Sequence, residues 1–350
     1  MGTESKLRQL IRKGWATYQV WIIFVGLTVI YSLVSPDFFT ANNISNILTQ
    51  NAMLVVVSLG QLLAVISGGI DLSVASLLAL TGVMTAKFVV GGTPVWLAII
   101  YSMGIGALAG ALSGLLVSRL KFAPFIATLA TLVIIKGTTF IQSGGHVIYV
   151  TDPTFRFLGQ GSILGIPVLV WVMLLAVALC WYVLTHTVVG RRLYAVGGNP
   201  EAARLAGINV PRYLFGVYVV SGGLCGLAGA FMAFRLGAGS PTTGMDWELD
   251  SIAAVVVGGA SLSGGVGTAV NSMVGALTIG FIRNILNLLG IAAYPQMIVK
   301  GLIIILSVLG QSLGSGMFDG IRLGRRRARP SQGTTGPDTG MGKSRTSRGG

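Results

Sequence analysis

Residues 95–117 read VWLAIIYSMGIGALAGALSGLLV and contain no charged side chain. A helix rises about 1.5 Å per residue and the hydrocarbon layer of a bilayer is about 30 Å thick, so a stretch of this length can cross a membrane. Gly106, Gly110 and Gly114 recur every fourth residue. This spacing puts glycines on one helix face, where they let a second helix approach closely in lipid. The stretch therefore predicts a membrane-spanning helix with a close neighbour.

The composition of the whole chain indicates an integral membrane protein. Hydrophobic residues make up 53% and charged residues only 10% of the 350 residues, and the mean hydropathy is +0.80. In soluble globular domains, charged residues make up roughly a quarter. The composition therefore excludes an ordinary soluble domain, and the 51 glycines fit helices that pack closely in lipid.

Ten apolar segments are candidates for membrane spans. They lie at residues 18–35, 47–69, 72–90, 95–117, 123–142, 167–185, 213–234, 251–262, 268–289 and 295–313. The eighth is too short to cross alone, and only Gly69, Ile70 and Asp71 separate the second from the third. We therefore predict an all-α, polytopic membrane protein with about ten transmembrane helices, some of them broken or re-entrant.

The basic residues are distributed unevenly between the predicted loops. If the N-terminus is cytoplasmic, most of the 24 Lys and Arg residues fall on the inner side, whereas the outer loops contain only Arg156 and Arg235. This asymmetry predicts that both termini are cytoplasmic, and it makes the net charge of +14 a feature of topology, without a nucleic-acid partner. Four cations lie near the outer ends of predicted spans, where long side chains can reach the headgroups: Lys87, Lys136, Arg283 and Lys300.

The chain divides into three parts. Residues 1–17 form a predicted cytoplasmic segment, residues 18–313 a transmembrane domain with a long inner loop at 186–212, and residues 314–350 a basic tail. The first span is not followed by a cleavage motif and is interpreted as a retained anchor. The tail is rich in Gly, Ser, Thr, Pro and Arg, a composition typical of disorder. It either contacts anionic lipid headgroups or only enforces the topology.

A short sequence recurs within the chain. Residues 65–73 read VISGGIDLS and residues 256–263 read VVGGASLS, so both contain Gly-Gly-x-x-Leu-Ser. Six predicted spans lie between the two copies, which would give both the same direction through the membrane. The recurrence indicates either a parallel internal duplication, a common plan in transporters, or a chance match between glycine-rich helices.

The inner loop contains a polar stretch, GGNPEAARLAGINV at residues 197–210. Asn199 is a favourable N-cap, Pro200 suits the first helical position, and Glu201 places negative charge at the positive end of the helix dipole. Gly207 is a favourable stop. Because an isolated helix of two turns is marginal in water, something must hold it. It either docks a soluble partner or packs against the membrane domain itself.

Five motifs, in order along the chain, carry a resemblance to one family. They are GGIDLSVASLLALTG at 68–82, FIATLAT at 125–131, GGNPEAARLAGINV at 197–210, ELDSIAAVVVGGASLSGG at 248–265 and YPQMIVKG at 294–301. Together they closely resemble the ribose-type permeases of bacterial ABC sugar importers, over about residues 36–309. The GGIDLS and GGNPEAARLAG segments look more like sugar permeases than like the related permeases for branched-chain amino acids.

The resemblance implies a permease in the bacterial inner membrane that transports a monosaccharide by alternating access. It implies three partners: cytosolic ABC ATPase subunits, a periplasmic or lipid-anchored sugar-binding protein, and a second permease subunit, identical or not. No Gly-x-x-x-x-Gly-Lys-Ser/Thr phosphate loop is present, so we expect no bound cofactor and no enzyme activity here, with ATP and Mg²⁺ used by the ATPase partners. The family's coupling helix maps onto Asn199, Pro200, Glu201, Ala202, Ala203, Arg204, Leu205, Ala206 and Gly207.

Polar side chains within the spans are candidates for a substrate pathway, because they are costly in lipid unless they face the interior. These are Gln61, Asp71, Ser73, Thr128, Thr131, Asn271, Asn284 and Asn287. Each also has a structural interpretation, since Asp71 can cap the next helix and Ser or Thr can bond its own preceding turn. The external acids Asp246, Glu248 and Asp250 are either a docking site for the binding protein or only a consequence of topology.

Three other function classes have weaker support in the sequence. An ion-coupled transporter is disfavoured because Asp71 is the sole acid within the predicted spans. An intramembrane enzyme is disfavoured because His146 and His186, the only histidines, lie in loops on opposite sides. A branched-chain amino acid permease remains the nearest alternative. Cys180 and Cys225 lie in apolar runs, so neither a disulfide nor a metal site is expected.

Overall fold

The computed structural model describes residues 20–33 and 38–314. The described residues up to Gln311 belong to one compact unit, and residues 312–314 belong to a second. The predicted cytoplasmic segment 1–17 and the predicted tail from residue 315 onward lie outside the described residues.

Helices dominate the described residues. They are α1 (Val20–Leu33), α2 (Ala41–Ile66), α3 (Val74–Val90), α4 (Val95–Ser118), α5 (Pro124–Ser143), α6 (Pro153–Gln160), α7 (Val168–His186), α8 (Val188–Gly198), α9 (Pro200–Leu205), α10 (Val210–Leu236), α11 (Trp247–Val257), α12 (Ala269–Leu288) and α13 (Ala293–Gly314). Four two-residue strands, β1 (Ile148–Tyr149), β2 (Ser162–Ile163), β3 (Ile166–Pro167) and β4 (Ala238–Gly239), form the antiparallel pairs β1–β4 and β2–β3.

Among the described residues, six helices are long and apolar enough to cross a membrane: α2, α4, α5, α7, α10 and α12. α1 and α3 are shorter apolar helices. The prediction of an all-α, polytopic membrane protein is confirmed, while the number of about ten crossings stays a prediction. The break predicted after the second span lies at residues 67–73, and the short eighth segment corresponds to α11.

α10 is the central helix of the fold and packs against α4, α3 and α2. Glycines make the contact with α4 close. A methyl group added at Gly106 would collide with the carbonyl oxygen of Gly222, and one added at Gly110 would collide with that of Tyr218. The four-residue glycine spacing thus has the predicted consequence, since it removes the side chains that would keep the two backbones apart.

Contacts between helix ends sort the loops into two faces. On the first, the N–H of Gly265 donates to the carbonyl oxygen of Ile66 at 2.8 Å, and Gly197 at the end of α8 lies against the same carbonyl. On the second, β1 pairs with β4, and Lys87 Nζ donates to Gln142 Oε1 at 2.9 Å. We call these the α9 face and the opposite face. The grouping agrees with the predicted alternation of loops.

Two helix breaks lie on the α9 face. α2 ends with Gly68 in the left-handed region (φ +84°), and α11 ends in the same way with Gly259 (φ +82°). Aligning the two copies of the recurring sequence pairs Gly68 with Gly258, so the structural equivalence is shifted by one residue. α9 also ends on a left-handed glycine, Gly207 (φ +79°). This ending is common to many helices, so its presence in α2 and α11 is not specific evidence for a duplication. The internal duplication therefore stays a prediction.

Candidate functional site

The predicted short helix is present as α9, with the predicted caps. Asn199 Oδ1 accepts a hydrogen bond from the N–H of Ala202 at 2.9 Å, and Pro200 occupies the first helical position. At the other end, the N–H of Ile208 donates to the carbonyl oxygen of Ala203 at 3.0 Å around the left-handed Gly207. Local sequence alone therefore accounts for where α9 begins and ends.

α9 shows a charged and an apolar side chain to solvent. Arg204 and Glu201 form an exposed ion pair with a 2.6 Å N–O distance. The hydrogen bond from Arg204 lowers the pKa of the Glu201 carboxyl below its ordinary value, and the same bond raises the pKa of Arg204. Leu205 is 76% exposed, whereas Ala203 is buried against the protein. α9 is thus anchored on one side and leaves an apolar side chain without cover on the other.

α8, to which α9 is joined, packs against the two helix breaks. A methyl group at Gly197 would collide with the carbonyl oxygen of Ile66 at the end of α2, and Gly264 packs against the Gly197 carbonyl. Tyr194 Oη donates to the carbonyl oxygen of Gly267 at 2.6 Å. α8, which immediately precedes α9, is therefore in close contact with the end of α2 and with the segment before α12. These contacts of α8 were not predicted from the sequence, although the Gly197–Gly198 pair indicated a close approach of two backbones.

A buried carboxylate ties the first break to the central helix. Asp71 is fully buried, and its Oδ1 accepts hydrogen bonds from the N–H and the hydroxyl of Ser73 at 3.0 and 2.6 Å. Its Oδ2 accepts from Ser221 Oγ in α10 at 2.9 Å. Asp71 thus bonds Ser73, the N-cap residue of α3, and links it to α10, although Asp71 is not itself the cap that the structural interpretation predicts. Ser221 was not among the residues singled out from the sequence.

The other pathway candidates are spread over the molecule. Thr128 Oγ1 donates to the carbonyl oxygens of Pro124 and Ile70, and Thr131 Oγ1 to that of Ala127. Each of the three candidate asparagines forms a side-chain hydrogen bond with a residue of another segment. These bonds are Trp21–Asn271, Asn43–Asn284 and Gln296–Asn287.

Gln61 differs from these residues because it is fully buried and neither polar atom of its side chain has a hydrogen-bond partner among the described residues.

The three predicted external acids differ in their exposure to solvent. Asp246 is exposed and Glu248 half-buried, but Asp250 is buried. Asp250 Oδ2 lies 2.8 Å from Arg283 Nη2, and Oδ1 lies 2.6 Å from Lys300 Nζ. The prediction that all three acids dock a partner is therefore wrong for Asp250. In a helix, successive positions differ by about 100°, so Asp250, two positions after Glu248 in α11, points inward.

One further expectation is corrected by the same contacts. Arg283 and Lys300 pair with a carboxylate, so snorkelling to the headgroups does not explain them. Asp71 remains the sole acid within the predicted spans, but a second buried acid, Asp250, lies directly before the predicted span 251–262. Because Asp250 is paired with two cations, it is not a free carboxylate of the kind that an ion-coupled carrier requires.

A polar cavity of about 470 Å³ opens beside the two remaining acids on the opposite face. Its lining includes Ser76, Lys136 and Thr139 together with Asp246 and Glu248, and none of the eight pathway candidates reaches it. Hydroxyl, ammonium and carboxylate groups in one cavity can donate to and accept from a small, hydroxyl-rich solute. The sequence did not associate Lys136 with these acids, since more than a hundred residues separate them.

Comparison with known proteins assigns the chain to a family. Residues 43–308 match the family described as branched-chain amino acid transport system / permease component. The ribose import permease protein of Bacillus subtilis is 44% identical over 82% of this chain and 90% of that protein, and that of Haemophilus influenzae is 43% identical over 83% and 92%. The fructose import permease protein of Rhizobium meliloti is 37% identical over 87% of each chain. No solved structure gives a significant match.

Proposed function

Because this chain belongs to the family of branched-chain amino acid transport system permease components, we propose that it is the permease subunit of an ATP-driven importer of a monosaccharide. Relatives named as ribose and fructose import permeases and as a D-allose transport system permease align over more than four-fifths of the chain, which favours a sugar over an amino acid. The observation that carries the mechanism is α9, a capped and exposed helix that directly follows α8, the helix in close contact with the two breaks.

α9 is the surface on which a partner ATPase acts. Its outward side presents Glu201, Arg204 and Leu205, a small charged and apolar patch suited to a groove on a soluble protein. ATP and Mg²⁺ would be bound by that partner. Movement of α9 would reach Ile66 and Gly264 through the tight contact at Gly197, and α2 and α12 would then open the path to one side of the membrane or the other.

The α9 face is the cytoplasmic face in this proposal. The Lys and Arg residues near α8 and α9, and those at residues 119–121, support it. Both chain termini would then also be cytoplasmic.

Substrate would arrive from the opposite face. There, Asp246 and Glu248 would meet basic groups of a sugar-binding protein. A second permease subunit, identical or not, completes the transporter.

Uptake by the assembled transporter tests the proposed function. The full chain would be reconstituted in vesicles with the ATPase that co-purifies with it and with its binding protein, and uptake of labelled ribose and leucine would be measured. We expect monosaccharide uptake that requires ATP hydrolysis. Uptake that persists without the ATPase and collapses with an ionophore would contradict the proposal, and ATP-dependent uptake of leucine alone would replace it by the amino-acid alternative.

Replacing Glu201 and Arg204 together by alanine tests the role of α9. Both side chains are exposed, so the chain should still insert and fold, while uptake should fall at least tenfold because the docking patch is lost. The control is Arg191→Ala, an exposed cation of α8 on the same face. Substrate-stimulated ATPase activity still coupled to normal uptake in the double variant would count against this role.

A further inference from the structure

An open groove of about 1230 Å³ lies on the α9 face between α7, α8 and α10. Its walls come from the last turn of α7, the first turns of α8 and the first turns of α10. α7 and α10 are both long and apolar enough to cross a membrane. The groove therefore lies where two spans leave the hydrocarbon layer.

The groove has a cationic end. Arg192 and Arg212 both line it, and both are exposed. Neither has an acidic partner in the part of the chain that the structure describes. The Arg192 side chain donates from Nη1 to Tyr213 Oη at 3.3 Å. Two guanidinium groups and a phenol thus remain available to an anion, and guanidinium matches the geometry of phosphate oxygens.

Most of the remaining lining of the groove is apolar. Val183, Val189 and Val220 line it with exposed fractions of 38%, 53% and 49%. Val183 lies in α7 and Val220 in α10, both long and apolar enough to cross a membrane, whereas Arg192 lies in α8 and Arg212 in the first turn of α10. The groove is therefore amphipathic, with the two arginines on one part of its lining and aliphatic side chains on another.

A second cavity adjoins the first on the far side of Arg212. It has a volume of about 920 Å³ and is lined by Leu115, Arg119, Pro211, Arg212 and Phe215. The basic, aliphatic character of the surface therefore continues around the base of α10.

We propose that this groove is a binding site for an anionic phospholipid, with the headgroup phosphate on Arg192 and Arg212 and one acyl chain along Val183 and Val220. Basic pockets between membrane helices are suited to such headgroups, because charge and apolar surface are satisfied together. A zwitterionic lipid offers less net attraction, and a free phosphate leaves the aliphatic wall exposed. The occupant is therefore a lipid.

The position of the groove connects the lipid to α9. Gly207 and Asn209, which follow α9, both line it. Asn209 Oδ1 accepts from the N–H of Arg212 at 3.2 Å and so caps the start of α10. A lipid phosphate bound to Arg212 would stabilise the junction between α9 and α10. The lipid site would thereby help to hold α9 in position.

The test measures lipid binding to the full chain, purified in detergent, by native mass spectrometry with phosphatidylglycerol and with phosphatidylcholine. Replacing Arg192 and Arg212 by glutamine should weaken phosphatidylglycerol binding by about 30-fold, from the usual contribution of two cations at a membrane surface. Lysine at both positions should largely restore binding. The matched control is the pair Arg191→Gln and Arg156→Gln, which removes the same charge outside the groove.

A second variant tests the apolar wall without touching the arginines. Val189→Glu places a carboxylate in the groove and should also weaken binding, whereas Val188→Glu, at an exposed neighbour that does not line the groove, should not.

Four outcomes would overturn the proposal. They are equal retention of phosphatidylcholine, unchanged binding in both groove variants, full competition by water-soluble glycerol phosphate, and loss of the lipid whenever the partner ATPase is bound. The last of these would assign the groove to the ATPase.

Discussion

Asp250 is a buried carboxylate held by cations from two other helices, Arg283 of α12 and Lys300 of α13. Removing the carboxylate leaves both cations facing each other beside apolar surface. Breaking a buried pair by removing one partner typically costs about 3–5 kcal/mol. Because Arg283 and Lys300 are partly exposed, water can screen them in the variant, which favours the lower end of that range.

We expect Asp250→Asn to lower the free energy of unfolding by about 3 kcal/mol, measured as a lowered thermal midpoint of the full chain in detergent. Asp246→Asn is the matched control, because Asp246 is exposed and forms no ion pair within the described part of the chain. Combining Asp250→Asn with Lys300→Met should recover part of the loss, since one unpaired cation is then removed. Equal midpoints for the two Asp→Asn variants would show that the network contributes nothing.

Single residues differ in how far their contacts can be predicted from the sequence. The caps of α9 were predictable because Asn199, Pro200 and Gly207 act within a few residues of the helix that they delimit. The ion pairs of Asp250 were not predictable, because Arg283 and Lys300 lie 33 and 50 positions later in the chain. They belong to other helices, and the sequence does not show which way those helices face. The same holds for Asp71, whose bond to Ser73 is local and predictable, while its bond to Ser221 spans 150 residues.

At the scale of helices, small residues decide which elements touch. Gly106 in α4 faces Gly222 in α10 with no room for a methyl group, whereas Gly104, two positions earlier, has nothing within 4 Å of such a group. Gly106→Ala should therefore push α4 from α10 and lower the thermal midpoint by several degrees, since overpacking typically costs about 1–3 kcal/mol. Gly104→Ala should be neutral or slightly stabilising, because alanine favours the helix. A similar midpoint for both variants would contradict the close contact.

The close contact between Gly197 of α8 and Ile66 of α2 leads to a prediction about coupling. Gly197→Ala would collide with the backbone at Ile66, whereas Gly198→Ala, the adjacent position, meets nothing within 4 Å. Since α9 and its exposed side chains are unchanged, the ATPase should still bind the Gly197 variant, but uptake per ATP hydrolysed should fall severalfold. The Gly198 variant should behave as the parent protein. Loss of ATPase binding in the Gly197 variant would instead mean that α8 positions α9 without transmitting its movement.

For the whole molecule, the order of the spans was predictable because each span is recognised from the summed hydrophobicity of a long segment. A single atypical residue does not change that sum much. The predicted span 213–234 corresponds to α10 (Val210–Leu236), and 268–289 corresponds to α12 (Ala269–Leu288). The predicted spans did not include α6 and α8, because each is short and mixed in polarity and so carries no spanning signal. The placement of α10 at the centre also could not be read from its sequence, since its glycines resemble those of other spans.

The proposed orientation of the whole molecule can be tested with single cysteines. Leu205 on α9 and Leu164 between β2 and β3 are 76% and 89% exposed and lie on opposite faces. In a background with Cys180→Ala and Cys225→Ala, a membrane-impermeant maleimide added to intact cells should label Leu164→Cys and not Leu205→Cys. Permeabilised or inverted membranes should expose Leu205→Cys. The cysteine-free background is the control for non-specific labelling, and uptake by both variants would establish that the labelled protein is active. Labelling of Leu205→Cys in intact cells would place α9 outside, where no ATPase could reach it, and would remove the basis of the proposed function.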